Sequence, residues 1–364
     1  MNYKLRTKKA FTLIELVTAV ALLALVLMFS GIIFKVSIES YRTASANVEI
    51  MQKLRVITEQ LNADFKGLQK DTPLMVWFQQ DPADPNQRYD QIMFFAVGDF
   101  QSTQLYSGNP AVPSASGVPV RGNVARIYYS QAVSLDRRDN IIKEPYGLPA
   151  IARVLSRRQH ILTADPSVDN WPDTGNVAAT FDDDDAAVPA YKKNEIYEHD
   201  RLSLAHWKTL HRNVYDTSIL STCFGQRAWV DVRDRNTFHK LMCEGVGSFA
   251  VQLAYQDNLS LRWFPSNDPN GDNSYSHFAL VQADGFPAVP DPRYAGFQAF
   301  GMLFNIPEAF QINYWGAAHL MRFNPVKKFP VGFYPRALKF TFTLYDSKNV
   351  IKGGRPFTHI VYLD

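Results

Sequence analysis

Residues 8–35 read KKAFTLIELVTAVALLALVLMFSGIIFK, and the fold turns on how far this apolar run continues as one helix. From Leu16 to Phe34 only Thr18, Ser30 and Gly31 interrupt nineteen otherwise apolar residues. As a helix that length crosses a hydrocarbon core about 30 Å thick. Lys4, Arg6, Lys8 and Lys9 precede the run without an acid, and Lys35, Glu39 and Arg42 follow it in mixed sign. The positive-inside rule therefore keeps the leader in the cytoplasm and puts the rest of the chain on the outer side. A secretory signal peptide would show a shorter apolar run closed by a small-residue cleavage site, and no Ala-x-Ala closes this one. A plain signal anchor fits the hydropathy equally well. Glu15 is the informative residue, because a carboxylate one turn into a membrane helix costs roughly 2.5 kcal/mol or more unless it finds a partner.

The run Lys8-Lys9-Ala10-Phe11-Thr12-Leu13-Ile14-Glu15 resembles the class III signal of type IV pilins and pseudopilins: a short basic leader, a small residue, then Phe-Thr-Leu-Ile-Glu and an apolar helix. The resemblance implies that a prepilin peptidase cuts between Ala10 and Phe11 and methylates the new Phe11 amine. It also implies a partner for Glu15, the N-terminal amine of a neighbouring subunit. A buried pair of that kind is favourable only when both charges are present, so Glu15 would set register during assembly. Ala10 stands where the family usually has Gly; it is the next smallest side chain, so processing is expected to survive at a lower rate. Further partners implied are other major and minor pilins or pseudopilins, and the inner-membrane assembly platform with its ATPase. The implied location is the inner membrane, single-pass, with the C-terminal domain outside the cytoplasm. Type II secretion, type IV pili and DNA uptake are not separated by these residues.

No Pro occurs before Pro73, and apolar residues continue at Val48, Met51, Leu54, Val56, Ile57, Leu61, Phe65 and Leu68. Their spacing predicts one helix from about Phe11 to Leu68, about 87 Å long at 1.5 Å per residue. Gly31 is the expected soft point in its membrane half, and a coiled coil is a competing reading of the second half. The expected division is a leader at 1–10, a membrane or filament-core helix at 11–35, its soluble half at 36–70, and an extracytoplasmic domain at 71–364.

Beyond Pro73 short alternating runs replace helical periodicity, which predicts an α+β fold: the long helix packed on a mainly antiparallel sheet. Expected strands are 91–97, 124–132, 150–155, 227–232, 248–255, 277–282 and 311–314, with a short helix at 202–210. Loop insertions are expected at 80–90, 107–123, 164–193 and 265–275. The clearest strand is Arg336 to Tyr345, where Leu338, Phe340, Phe342 and Leu344 alternate with Lys339, Thr341 and Thr343. Phe357 to Leu363 repeats the pattern after a turn at 346–354. This ending, with Glu244 to Tyr255, is similar to the closing strands of the larger minor pseudopilins and minor pilins, the J-type and W-type. The middle of the chain, 73–220, matches no pattern of that family.

With 46% hydrophobic and 20% charged residues in 364, the chain has the composition of a folded protein, and disorder or a repetitive architecture is excluded. The formal charge of +3 resides wholly in the leader, so nucleic acid is not an expected partner outside a DNA-uptake system. Cys223 and Cys243 form an even pair in a region placed outside the cytoplasm, where a disulfide is chemically allowed. A hairpin turning near Asp234-Arg235-Asn236 would set them slightly out of register, and a bridge needs Cα atoms within about 7 Å, so a bridge and two buried thiols both remain open. Four consecutive acids, Asp182 to Asp185, do not by themselves supply the 6–8 oxygens that Ca²⁺ takes, and Asn267 to Asn273 lacks the spacing and terminal Glu of an EF-hand. His199, His206 and His211 do not stack as metal-ligand pairs on a helix face. Without a nucleophile elbow, a phosphate loop or a dinucleotide fingerprint, no catalytic residue, metal or cofactor is expected. Trp77, Trp171, Trp207, Trp229, Trp263 and Trp315 are expected in the core rather than along a binding groove. The expected function is thus that of a minor pilin or pseudopilin subunit. Its alternative is a signal-anchored extracytoplasmic binding or enzymatic domain outside any filament.

Overall fold

The computed structural model describes residues 12–72, 74–79, 81, 87–107, 112–136, 141–143, 145–162, 198–200, 228–230, 241–257, 260–264, 299–306, 326–330 and 334–363. Helix α1 (Leu13–Lys66) runs unbroken for 54 residues, about 81 Å at 1.5 Å per residue. Gly31 does not interrupt it. Its apolar window, of mean hydropathy 2.7, is wholly unburied, and the helix is long and apolar enough to span a membrane.

The second half of α1 is one wall of the core. Ala46, Ile50, Ile57, Leu61, Asp64 and Phe65 are buried, with Leu54 and Leu68 packed against them. Val48, Met51 and Val56 do not join this face: they stand 57%, 52% and 52% exposed. The reason is angular, since each step of three residues turns the position back by about 60°, and three such steps from Val48 to Ile57 cross to the far side of the helix. The helix ends at Lys66, two residues before the expected Leu68, because Gly67 lies flat against strand backbone. A Cβ on Gly67 would sit 2.0 Å from the Val97 carbonyl oxygen, and the Val97 N–H donates to the Gly67 carbonyl at 2.7 Å.

Sixteen strands are described: β1 (Leu74–Gln79), β2 (Gln91–Ser107), β3 (Val112–Pro113), β4 (Val118–Gln131), β5 (Val133–Asp136), β6 (Ile141–Lys143), β7 (Val154–Leu162), β8 (His199–Asp200), β9 (Trp229–Val230), β10 (Leu241–Glu244), β11 (Val246–Asp257), β12 (Ser260–Phe264), β13 (Ala299–Ile306), β14 (Val326–Pro330), β15 (Ala337–Leu344) and β16 (Arg355–Tyr362). The largest sheet has the order β10-β7-β4-β2-β1-β13-β14, with β3 beside β2 and β8 beside β7. A second sheet has the order β12-β11-β15-β16, and a third β6-β5-β9. Pairing is antiparallel except at β13–β14, β5–β9 and β7–β8. The fold is therefore α+β, one long helix against mainly antiparallel sheets. Phe65 shows how they meet: its ring lies 4.2 Å from that of Phe94 on β2 and 5.5 Å from that of Phe340 on β15, one from each large sheet.

Strand β15 buries Leu338, Phe340, Phe342 and Leu344, following the alternation read from the sequence. Three segments depart from expectation. Residues 107–123 are mostly hairpin rather than loop, since β2 runs on to Ser107 and β4 starts at Val118. Ala150–Ala152 is a 3-10 turn, with the strand running from Val154 to Leu162 instead. Within 80–90, Arg88, Tyr89 and Asp90 are buried rather than part of a surface insertion, because Tyr89 bridges to Phe249 and ties the connection between β1 and β2 to β11 of the second sheet. The strands expected at 277–282 and 311–314 and the helix at 202–210 lie outside the described residues.

Candidate functional site: the capped start of the apolar helix

Thr12 is the N-cap of α1, with φ −75° and ψ 150°. Its backbone N–H and its hydroxyl both donate to Glu15 Oε2 at 2.9 Å, and its Oγ1 accepts the Glu15 backbone N–H at 3.3 Å. This reciprocal capping box satisfies two of the amides that a helix start leaves orphaned. It was legible as Thr-x-x-Glu at 12–15, a signal that the reading of Glu15 as an isolated membrane carboxylate passes over. Glu15 Oε1 takes no bond among the described residues, so the carboxylate caps its own helix with one oxygen and keeps the other available. Ala10 and Phe11, the expected processing site, lie outside the described residues.

Two buried ionic clusters fix what this helix carries. On α1, Asp64 receives Arg157 of β7 in a two-pronged grip, Nε to Oδ2 at 2.6 Å and Nη2 to Oδ1 at 2.7 Å. The Tyr129 hydroxyl also donates to Oδ2, and Gln60 Nε2 donates to Oδ1 at 3.1 Å. Burial would lower the Arg157 pKa, but Asp64 outweighs it and holds it above its ordinary value. Between the sheets, Arg88 and Asp90 form a fully buried pair. Asp90 accepts the backbone N–H of Gln79 at 2.9 Å on the β1 side and of Val251 at 2.7 Å on β11. Arg88 Nη2 donates to the Val251 carbonyl at 3.0 Å, and its guanidinium lies 5.5 Å from the Phe78 ring centroid. Buried charges of this kind persist only when paired and hydrogen-bonded. Sequence reasoning missed both clusters. Asp64 had a signal, a carboxylate on the same helix face as Ile57 and Leu61; Arg88 and Asp90 had none, since their partners come from distant strands.

Cys243 lies buried on β10 with a free thiol, and burial pushes its pKa up to about 11. Cys223 lies outside the described residues. So do the acidic run 182–185, the 267–273 turn, His206 and His211, and Trp171, Trp207 and Trp315. His199 falls in β8, Trp77 in β1 and Trp229 in β9. Trp263 on β12 is half-buried, with Lys339 Nζ 4.6 Å from its ring centroid. Among the described residues no three of His, Cys, Asp and Glu group as a metal site. In comparisons with protein-family models, curated proteins and solved structures, nothing matched this chain.

Proposed function

We propose that the chain is a minor pilin or pseudopilin subunit of a type II secretion or type IV pilus-like machine. The observation that carries this reading is α1 itself: one unbroken helix whose apolar, exposed first half continues into a second half that is core to a β-rich domain. A subunit that leaves the bilayer for a filament needs this continuity, because force on the packed apolar half must reach the domain without an intervening hinge. Its work would be assembly: subunit packing replaces lipid contact around the span, and Glu15 meets the amine of a neighbour. A large domain suits a tip or initiation complex better than a repeating shaft. The partners in this reading are a prepilin peptidase, other pilins or pseudopilins, and an inner-membrane platform with its ATPase. Peptide mass spectrometry of protein from its native membrane tests it. A mature chain beginning at N-methylated Phe11 supports the reading, and a chain retaining residues 1–10 beside an active prepilin peptidase overturns it.

The capping box favours a second reading, in which Glu15 serves only its own helix and the chain is a signal-anchored domain outside any filament. A capping box accepts Gln at this position as readily as Glu, whereas pairing with an amine requires the charge. Under the first reading Glu15→Gln abolishes co-purification with other subunits while helix content is unchanged. Under the second it alters neither.

A further inference from the structure

We infer that the turn between β15 and β16 is a basic, membrane-facing contact for anionic lipid headgroups that fixes the tilt of the domain on the bilayer; this rests on the reading of α1 as a membrane span. The turn lies at the span end of the domain. Glu49 accepts the Ser347 backbone N–H at 2.8 Å and its hydroxyl at 3.0 Å, and Lys53 donates to the Tyr345 carbonyl at 2.8 Å. At the other end of β16, His359 meets Asn62 at 2.8 Å. The hairpin thus runs down α1 toward its apolar half and turns beside Glu49.

The turn is a built platform. The Asp346 carboxylate accepts the backbone N–H groups of Val350 at 2.8 Å and Ile351 at 2.9 Å. Asn349, Gly353 and Gly354 take positive φ of 50°, 88° and 67° to close it. From this platform Lys348, Lys352 and Arg355 project exposed, and none of the three is paired with an acid among the described residues. The acids nearby offset them only in part. Asp346 is buried in the turn, Glu49 is bound to Lys53 at 2.9 Å, and Glu244 on β10 is exposed beside Cys243. Lys35 and Arg42 add positive charge on the helix between span and domain, against Glu39.

The distances fit an electrostatic contact. From Lys35 to Glu49, which holds Ser347 of the turn, the helix rises about 21 Å, of which the headgroup layer takes about 5–8 Å. An upright domain would hold the backbone of the turn roughly 13–16 Å from the headgroups, within about two screening lengths at physiological salt. Spans tilt by about 20° on average, and a tilt toward the turn lowers it by several ångströms and brings its long basic side chains within a screening length of the headgroups. Because α1 carries no break, tilting the span tilts the domain with it.

The test uses the full chain in nanodiscs of phosphatidylcholine alone or with phosphatidylglycerol. A fluorescent non-natural residue replaces exposed Thr358, and energy transfer is read to a headgroup-labelled lipid. The expected result is transfer about twofold higher in the anionic discs, falling to the zwitterionic value in high salt, as screening requires. The triple variant Lys348→Gln, Lys352→Gln, Arg355→Gln loses the gain while its circular dichroism melt is unchanged. Equal transfer in both lipids, or a gain that survives the triple variant, overturns the inference and leaves the basic turn to an acidic protein surface. Failure of the chain to enter nanodiscs at all is a separate readout, and overturns the membrane reading on which the inference stands.

Discussion

Replacing Asp64 by leucine removes the carboxylate that the Arg157 guanidinium grips with two bonds, at 2.6 and 2.7 Å. Asp64 is 4% exposed and Arg157 17%, so the guanidinium left behind has little water to turn to. Removing one partner of a buried pair costs about 3–5 kcal/mol, because the survivor's desolvation is no longer offset. The Tyr129 hydroxyl, wholly buried, loses its acceptor in the same step. Taking about 4 kcal/mol, and a shift of roughly 2–3 °C per kcal/mol for a domain of this size, Tm falls by roughly 8–12 °C. The assay is thermal and urea unfolding of the full chain in detergent, followed by near-ultraviolet circular dichroism. The double variant Asp64→Leu, Arg157→Met supplies the control, since it leaves no orphan charge and recovers most of the loss apart from the Tyr129 hydroxyl. A single variant within about 1 kcal/mol of the natural chain, or a double variant no better than the single, would refute the claim that this pair fastens the helix to the sheet.

Gly67→Ala places a Cβ 2.0 Å from a backbone oxygen that has no rotamer to move; a loss of about 2–3 kcal/mol is expected in the same melts, as overpacking against backbone dictates. The Cys243 thiol, raised to about 11 by burial, should resist maleimide at pH 7.5 in the folded chain and react on unfolding without a reductant; reaction only after reduction would establish a bridge instead. Burial raises the Asp346 carboxyl, but the amides of Ile351 and Val350 outweigh it and hold it below its ordinary value. A depressed carboxylate contributes stability above its unfolded pKa, near 3.9, and that contribution is lost as pH falls through the lower folded value. The Tm gap between the natural chain and Asp346→Asn should therefore be full at pH 5 and close progressively below pH 4.

Local patterning carried much of the fold. The apolar run after the basic leader, the absence of Pro before Pro73 and the alternation at 336–345 each depend on neighbours in sequence, and the helix and β15 formed where they pointed. The errors share a cause. Val48 and Met51 were assigned to the buried face by spacing, but which side of a helix is buried depends on where the sheets arrive. Residues 80–90 read as a surface loop because the stretch is rich in Pro, Asp and Asn, and the charges of Arg88 and Asp90 are tolerated inside only because Gln79 and Val251 meet them. Strand β2 buries every residue from Gln91 to Ala96, so period two is erased where a sheet is covered on both faces.

The sequence by itself determined that a basic segment precedes a span-length helix, that the helix runs on into a β-rich domain, and that Thr12 and Glu15 stand at capping distance in the chain. Those properties are local, set by composition and by the 3.6-residue and two-residue periods. Only the tertiary structure decided that Asp64 meets Arg157, that Asp90 joins two sheets, and that the β15–β16 turn lies beside Glu49. Each of these is a contact between groups tens to hundreds of residues apart, and such a contact exists only once the core has fixed the distance between them.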